Sequence, residues 1–166
     1  MNLHWRQATA SDLSEIDSIA NRIHTGLPER PEVLAEKLRL FPHGALVLDA
    51  ADRIAGYGLS HPWKLCRVPA LNAFLHALPA DANCIHIHDV AILSEWRGRR
   101  AAASYIDIVS ARASGMNIRS LALVSVYQTA PLWAQLGFRP IAADDEMSTT
   151  LRTYGHPAQY MIRDLQ

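Results

Sequence analysis

The sequence predicts one mixed α/β domain organised around a strand, a basic turn, a helix and a second strand. Cys84 to Ile92 has strand character and leads through Leu93-Ser94-Glu95-Trp96 into the turn Arg97-Gly98-Arg99-Arg100. A helical run of alanines, serines and aliphatics then continues to Gly115, and Ser120 to Val126 is a tight aliphatic strand. Two strands joined through a helix of roughly fifteen residues imply a parallel, right-handed crossover. The chain of 166 residues is 49% hydrophobic and 19% charged. That suits one folded core burying roughly 70% of the unfolded surface. Residues 1–166 show no repeat, linker or low-complexity block, so one domain is expected.

The remaining elements follow in order. Leu3 to Gln7 reads as a first strand. Thr9 to Asp12 offers N-cap residues to a helix whose apolar positions are Leu13, Ile16, Ile19, Ala20 and Ile23. Gly26-Leu27-Pro28 breaks it, and Pro31 opens a second helix. Ala45 to Leu48 and Ile54 to Leu59 are short strands joined by a hairpin-length connection. Gly56 and Gly58 suggest a close backbone approach or a bulge in the second. His61-Pro62-Trp63 reads as the start of a loop and Pro69 to Leu78 as a short helix. After the central unit, Pro131 to Leu136 reads as a helix ended by Gly137, and Phe138 to Ile141 as a strand. Asp144 to Glu146 reads as a solvated acidic turn and Tyr160 to Leu165 as a last strand.

Sixteen basic and sixteen acidic residues balance. No global field draws the chain to nucleic acid or to an anionic membrane, so neither is expected as a partner. No uncharged apolar run reaches membrane-spanning length, and charged residues interrupt the first twenty; a soluble cytoplasmic protein is expected. Cys66 and Cys84 read as reduced thiols, being too few for a disulfide framework and without metal-ligand spacing.

The chemistry concentrates in the central unit. A helix N-terminus behind a basic turn presents free N–H groups and partial positive charge, and it lies at the carboxyl end of its strand. Gly98, Ala101, Ala102 and Ala103 leave room for a phosphate oxygen, while Arg97, Arg99 and Arg100 supply charge. The alternative is a solvated basic helix start. No Gly-Lys-Ser/Thr and no dinucleotide fingerprint is present, so the phosphates belong to some other carrier. His86 and His88 lie two apart on the strand and share a face, which fits either a proton acceptor or a pair of partly buried sheet histidines. A metal pair completed by His61 lacks a matching carboxylate or thiolate pattern, so no metal is expected.

The run from His88 to Gly115 resembles motif A of the GNAT superfamily of N-acetyltransferases, whose pattern is Arg/Gln-x-x-Gly-x-Gly/Ala. Here it reads Arg97-Gly98-Arg99-Arg100-Ala101-Ala102, with Arg100 at the middle Gly. Ala130 to Phe138, ending Leu136-Gly137-Phe138, resembles motif B, and the first strand–helix and closing strand fall where the family has them. The resemblance implies a twisted, mostly antiparallel sheet of about six to seven strands with a splayed parallel central pair and about four helices. It implies acetyl-CoA as co-substrate: pantetheine along Val90, Ala91 and Ile92, and pyrophosphate on Arg97 through Ala102. A bulge is expected near Asp89. Arg100 is expected in a helical conformation that keeps its N–H useful.

His86-x-His88 is similar to the arylalkylamine N-acetyltransferases, which implies that these histidines take the proton of the attacking amine. The family's usual acid is a Tyr in motif B, where this chain has Trp133, whose N–H cannot protonate a thiolate; Tyr127 is one substitute, and departure of the unprotonated thiolate is the alternative. His61, Trp63 and Trp133 are expected on the acceptor cleft. The expected activity is direct acetyl transfer to a primary amine of a small molecule or peptide. A silent acyl-CoA-binding domain and a CoA-free partner-binding module are the alternatives, and a homodimer is compatible with the sequence.

Overall fold

A computed structural model describes residues 3–166. Seven strands form one sheet: β1 (His4–Gln7), β2 (Ala45–Asp49), β3 (Ile54–Trp63), β4 (Cys84–Ile92), β5 (Ser120–Ser125), β6 (Arg139–Pro140) and β7 (Gln159–Asp164). Their order is β1-β2-β3-β4-β5-β7-β6, and β4–β5 is the one parallel pair among them. The helices are α1 (Leu13–Ile23), α2 (Pro31–Leu40), α3 (Ala101–Gly115), α4 (Ala130–Gln135) and α5 (Asp145–Leu151). This is the mixed α/β architecture expected, with a fifth helix.

Each face of the sheet is covered because the helices carry matching apolar stripes. Ile16, Ile19 and Ala20 of α1 and Leu34 of α2 pack on Leu48, Tyr57, Leu59 and Ala91. Tyr105, Ile106, Val109 and Ala113 of α3 pack with Ile85, Ile87, Leu121 and Leu123. At the start of α1, the Asp12 carboxylate accepts from the Thr9 N–H at 2.8 Å and pairs with Arg6 at 2.9 Å.

The close approach suggested by Gly56 and Gly58 is real. A Cβ on Gly56 would lie 2.5 Å from the Ala91 carbonyl oxygen, and one on Gly58 would lie 2.2 Å from the Tyr105 ring. Tyr105 is fully buried and its hydroxyl donates to the Gly44 carbonyl, so it has nowhere to retreat. Gly58→Ala is therefore expected to cost roughly 2–3 kcal/mol, read as a lowered urea midpoint at unchanged slope.

Four local expectations are corrected. His61-Pro62-Trp63 continues β3 rather than opening a loop. Pro62 is tolerated because β2 ends opposite Leu59, leaving that edge of β3 without a partner for the missing N–H. Residues 69–78 form turns, not a helix: Asn72 and His76 are left-handed, and carboxylates take the N–H groups a helix would use. Glu36 accepts from Leu75 and His76 at 2.6 and 2.9 Å, and Glu29 accepts from Asn72 at 2.9 Å. Residues 144–146 are exposed as expected but are not a turn: Asp144 is the N-cap of α5, accepting from the Met147 N–H at 2.8 Å, and Asp145 and Glu146 form its first turn. Finally, the strand expected over 138–141 is only Arg139–Pro140.

Candidate active site

β4 pairs with β5 over Ile85–Ile87 opposite Leu121–Leu123, and beyond Ile87 the two strands diverge. Its register against β3 slips between Leu59 and Ser60: Ser60 faces Ile87 and Leu59 faces Asp89, which leaves His88 as the extra residue. This is the bulge expected near Asp89. A bulge lets neighbouring residues project on the same side of a sheet. Here His88 and Asp89 both reach groups from the end of α1 and the segment after it.

The divergence opens a cleft of about 960 Å³. Val90, Ala91 and Ile92 form one wall, and their edge toward β5 has no strand partner. At one end lie Arg97, Gly98, Arg100, Ala101 and Ala102. The first hydrogen bond inside α3 runs from the Ser104 N–H to the Arg100 carbonyl at 2.9 Å, so the N–H groups of Ala101 to Ala103 have no intrahelical acceptor. Small side chains leave that end open. The Arg97 Nε donates to the Ile92 carbonyl at 2.9 Å, tying the cradle to β4. Arg99 is not on the cleft; its guanidinium sits over the Trp96 ring at 5.3 Å.

Arg100 departs from expectation. It is left-handed, with φ 59° and ψ 17°, and caps α3 in the conformation for which the motif carries Gly. A left-handed backbone costs a non-Gly residue about 1–2 kcal/mol. Arg100→Gly removes that strain and adds back some unfolded-state entropy. Its expected net effect is a stabilisation of about 0.5–1 kcal/mol, read as a higher melting temperature.

At the other end of the cleft, two carboxylate–imidazole pairs stand side by side. His88 Nε2 donates to Glu29 Oε1 at 2.7 Å; the His88 side chain is 1% exposed and that of Glu29 9%. The Nδ1 of His88 is buried and has no partner. Burial would raise the Glu29 carboxyl, but His88, Lys37 and the Asn72 N–H together pull it from 4.5 to about 2. A depressed carboxyl stabilises the fold above its unfolded pKa and loses that contribution as pH falls through the folded one. Acid unfolding is accordingly expected to draw on Glu29 between pH 4.5 and about 2, and Glu29→Gln should flatten the stability–pH curve in that window.

In the second pair, His24 Nε2 lies 2.9 Å from Asp89 Oδ1, and the other Asp89 oxygen accepts from the Tyr57 hydroxyl. The His24 ring stacks on Tyr127 at 5.9 Å and 11°. Neither Glu29 nor His24 carries a readable motif. They enter the site from the end of α1 and the connection to α2, and only the tertiary fold brings them to β4.

His86 and His61 lie in the core. They are 1% and 0% exposed, with rings 5.6 Å apart, and neither lines the cleft. Burial holds both imidazoles neutral, that of His61 down to about 3. Trp63, edge-on to His61 at 5.2 Å, lines a separate hollow of about 320 Å³. The reason is the extension of β3, which carries residues 61–63 into the sheet. Trp133 does line the cleft, and its indole N–H donates to the Thr129 hydroxyl at 3.1 Å. Among the described residues no group of three or more His, Cys, Asp or Glu is placed to hold a metal ion, and no helix is long and apolar enough to cross a membrane.

The sequence pattern of the acetyltransferase (GNAT) family matches residues 9–138. No curated protein matches the chain by sequence. Among solved structures, Ard1 from Thermoplasma volcanium aligns over 100% of this chain and 99% of its own, at 13% identity and a TM-score of 0.74. The GphF GNAT-like decarboxylase in complex with isobutyryl-CoA aligns over 98% and 100%, at 14% identity and 0.80. N-acetylglutamate synthase from Neisseria gonorrhoeae, complexed with coenzyme A and N-acetyl-glutamate, aligns over 100% of this chain but 36% of its own, at 18% and 0.74. These likenesses are likenesses of fold. The chain belongs to the GNAT acetyltransferase family, whose class of chemistry is acyl transfer.

Proposed function

We propose that the protein transfers an acetyl group from acetyl-CoA directly to a primary amine of a small molecule or peptide. One observation carries the reading: a single cleft joins an unpaired strand edge, a helix start with free N–H groups, and buried carboxylate–imidazole pairs. The edge of Val90, Ala91 and Ile92 suits the amides of pantetheine, which would lie along it as a further strand. The N–H groups of Ala101 to Ala103, with Arg97 and Arg100 beside them, suit a diphosphate. An N–H on the free edge of β4 just past the bulge would polarise the thioester carbonyl as negative charge develops on its oxygen.

The acceptor arrives as an ammonium ion and must lose a proton before it attacks. Glu29 offers a carboxylate to that cation, and His88 behind it has the unpartnered Nδ1 that accepts the proton. His86, fully buried beside His88, acts as packing rather than as base in this scheme. Ile23, Leu27, Leu71 and Tyr154 give the acceptor end apolar walls.

The test is thiol release from acetyl-CoA over a panel of small amines, amino acids and peptides. At least one primary amine should give turnover above the uncatalysed rate. CoA binding without turnover on any amine would leave an acyl-CoA-binding domain instead.

A further inference from the structure

Acyl transfer leaves a thiolate, and the cleft has little to protonate it with in the motif B position. The Trp133 N–H is engaged by Thr129, and the Tyr154 hydroxyl is engaged by the Pro69 carbonyl. His88 already takes the proton of the attacking amine in the proposed reaction, through the Nδ1 that Glu29 leaves open. That leaves His24 and Tyr127 on the side of the cleft where β5 ends.

His24 has the better geometry. Its ring is fixed by stacking on Tyr127 and by the Nε2 bond to Asp89, and Asp89 is itself held by Tyr57. Nδ1 has no hydrogen-bond partner among the described residues and is not among the buried unpartnered atoms, while the residue lines the cleft. An imidazole held by a carboxylate on one nitrogen and open on the other is an oriented proton donor when charged. We infer that His24, positioned by Asp89, is the general acid that protonates the departing CoA sulfur.

The amine lone pair forms the N–C bond, and the C–S bond breaks with its electron pair on sulfur. His24 Nδ1 delivers a proton to that sulfur. The ammonium gives up two protons through His88 and solvent; one restores His24 and one is released. The groups facing His24 are Asp89 from β4, Tyr127 after β5 and Glu29 from the segment after α1. Burial alone would lower the imidazole, but Asp89, with Glu29 farther off, raises it above its usual value, which favours the charged, proton-donating form.

The inference rests on the acetyltransferase reading and is tested so that the two can fail separately. The probe is acetyl-CoA with hydroxylamine, a small nucleophile largely unprotonated at neutral pH, so that the base is bypassed and the leaving group is isolated. Wild type should release thiol above background, with a rate that falls on the alkaline side as His24 loses its proton. His24→Gln should lower kcat by about 100-fold and erase that alkaline limb, with CoA binding by calorimetry unchanged. Asp89→Asn should move the limb to lower pH, a shift that a merely structural role would not produce. Thiol release with neither hydroxylamine nor any amine of the panel contradicts the acetyltransferase reading itself; where only a panel amine is turned over, that amine replaces hydroxylamine as the probe. An active wild type with the limb intact in His24→Gln, or with the limb lost in Tyr127→Phe instead, overturns the assignment of His24. Loss of CoA binding in His24→Gln also overturns it, by making the residue structural.

Discussion

Replacing Ala102 with glutamate is expected to weaken CoA binding by roughly 100- to 1,000-fold without weakening the fold. Ala102 lies at the second position of α3, on the cleft, beside N–H groups that have no intrahelical acceptor. A carboxylate there is welcome to the helix, because it complements the dipole. It is unwelcome to a diphosphate. Two like charges about 4 Å apart at an effective dielectric near 20 repel by about 4 kcal/mol, and the added side chain fills the space a phosphate oxygen would use. The opposite signs make the experiment clean: calorimetry should show affinity lost, while thermal melting shows stability kept or slightly raised. Equal loss of both would mean that the site is packing rather than a cradle.

The second large effect is expected at His88. Truncation to alanine would confuse two things, because it leaves the Glu29 carboxylate buried without its donor, which typically costs several kcal/mol. His88→Gln keeps an N–H to face Glu29 and removes the titrating nitrogen. Amine acetylation should then fall by about 10²- to 10⁴-fold in kcat, with CoA affinity and stability near wild type. The loss should be largest with acceptors that dock as ammonium ions and smallest with acceptors that are already neutral. A uniform loss for protonated and neutral acceptors would place His88 outside the proton transfer.

How much of this could be read from the chain depends on the range of the interactions involved. The crossover from Cys84 to Ser125 was legible because its signals are local: strand alternation, small residues at a helix start, and a glycine at its end. The cleft wall at Val90 to Ile92 and most of the cradle followed from that unit. Arg100 misled because its left-handed backbone is imposed by the turn, not chosen by its side chain. His61 and Trp63 misled because Pro62 looked like a terminator, whereas an unpartnered strand edge accommodates it. Pairing His86 with His88 was sound as periodicity, yet the bulge turns the strand at His88 and leaves His86 in the core. Glu29, His24 and Leu71 had no signal of their own. They converge on β4 because Glu36, Glu29 and Arg30 hold residues 72–76 in place across more than thirty positions of sequence.

In the proposed reaction, the side-by-side pairing of Glu29–His88 and His24–Asp89 would divide the labour in a way that one histidine would not allow. A base must be neutral when the amine docks and an acid must be charged when the thiolate leaves. Adjacent residues of one bulge supply both partners, His88 to one pair and Asp89 to the other.

The central claim is that the divergence of β4 and β5, closed by the start of α3, is an acyl-CoA site. Calorimetric titration of acetyl-CoA into the wild-type protein tests it most directly. A single site with a dissociation constant on the order of 1–100 μM, weakened by Ala102→Glu and retained in His88→Gln, is the result this account predicts. No heat of binding at high micromolar acetyl-CoA would contradict it.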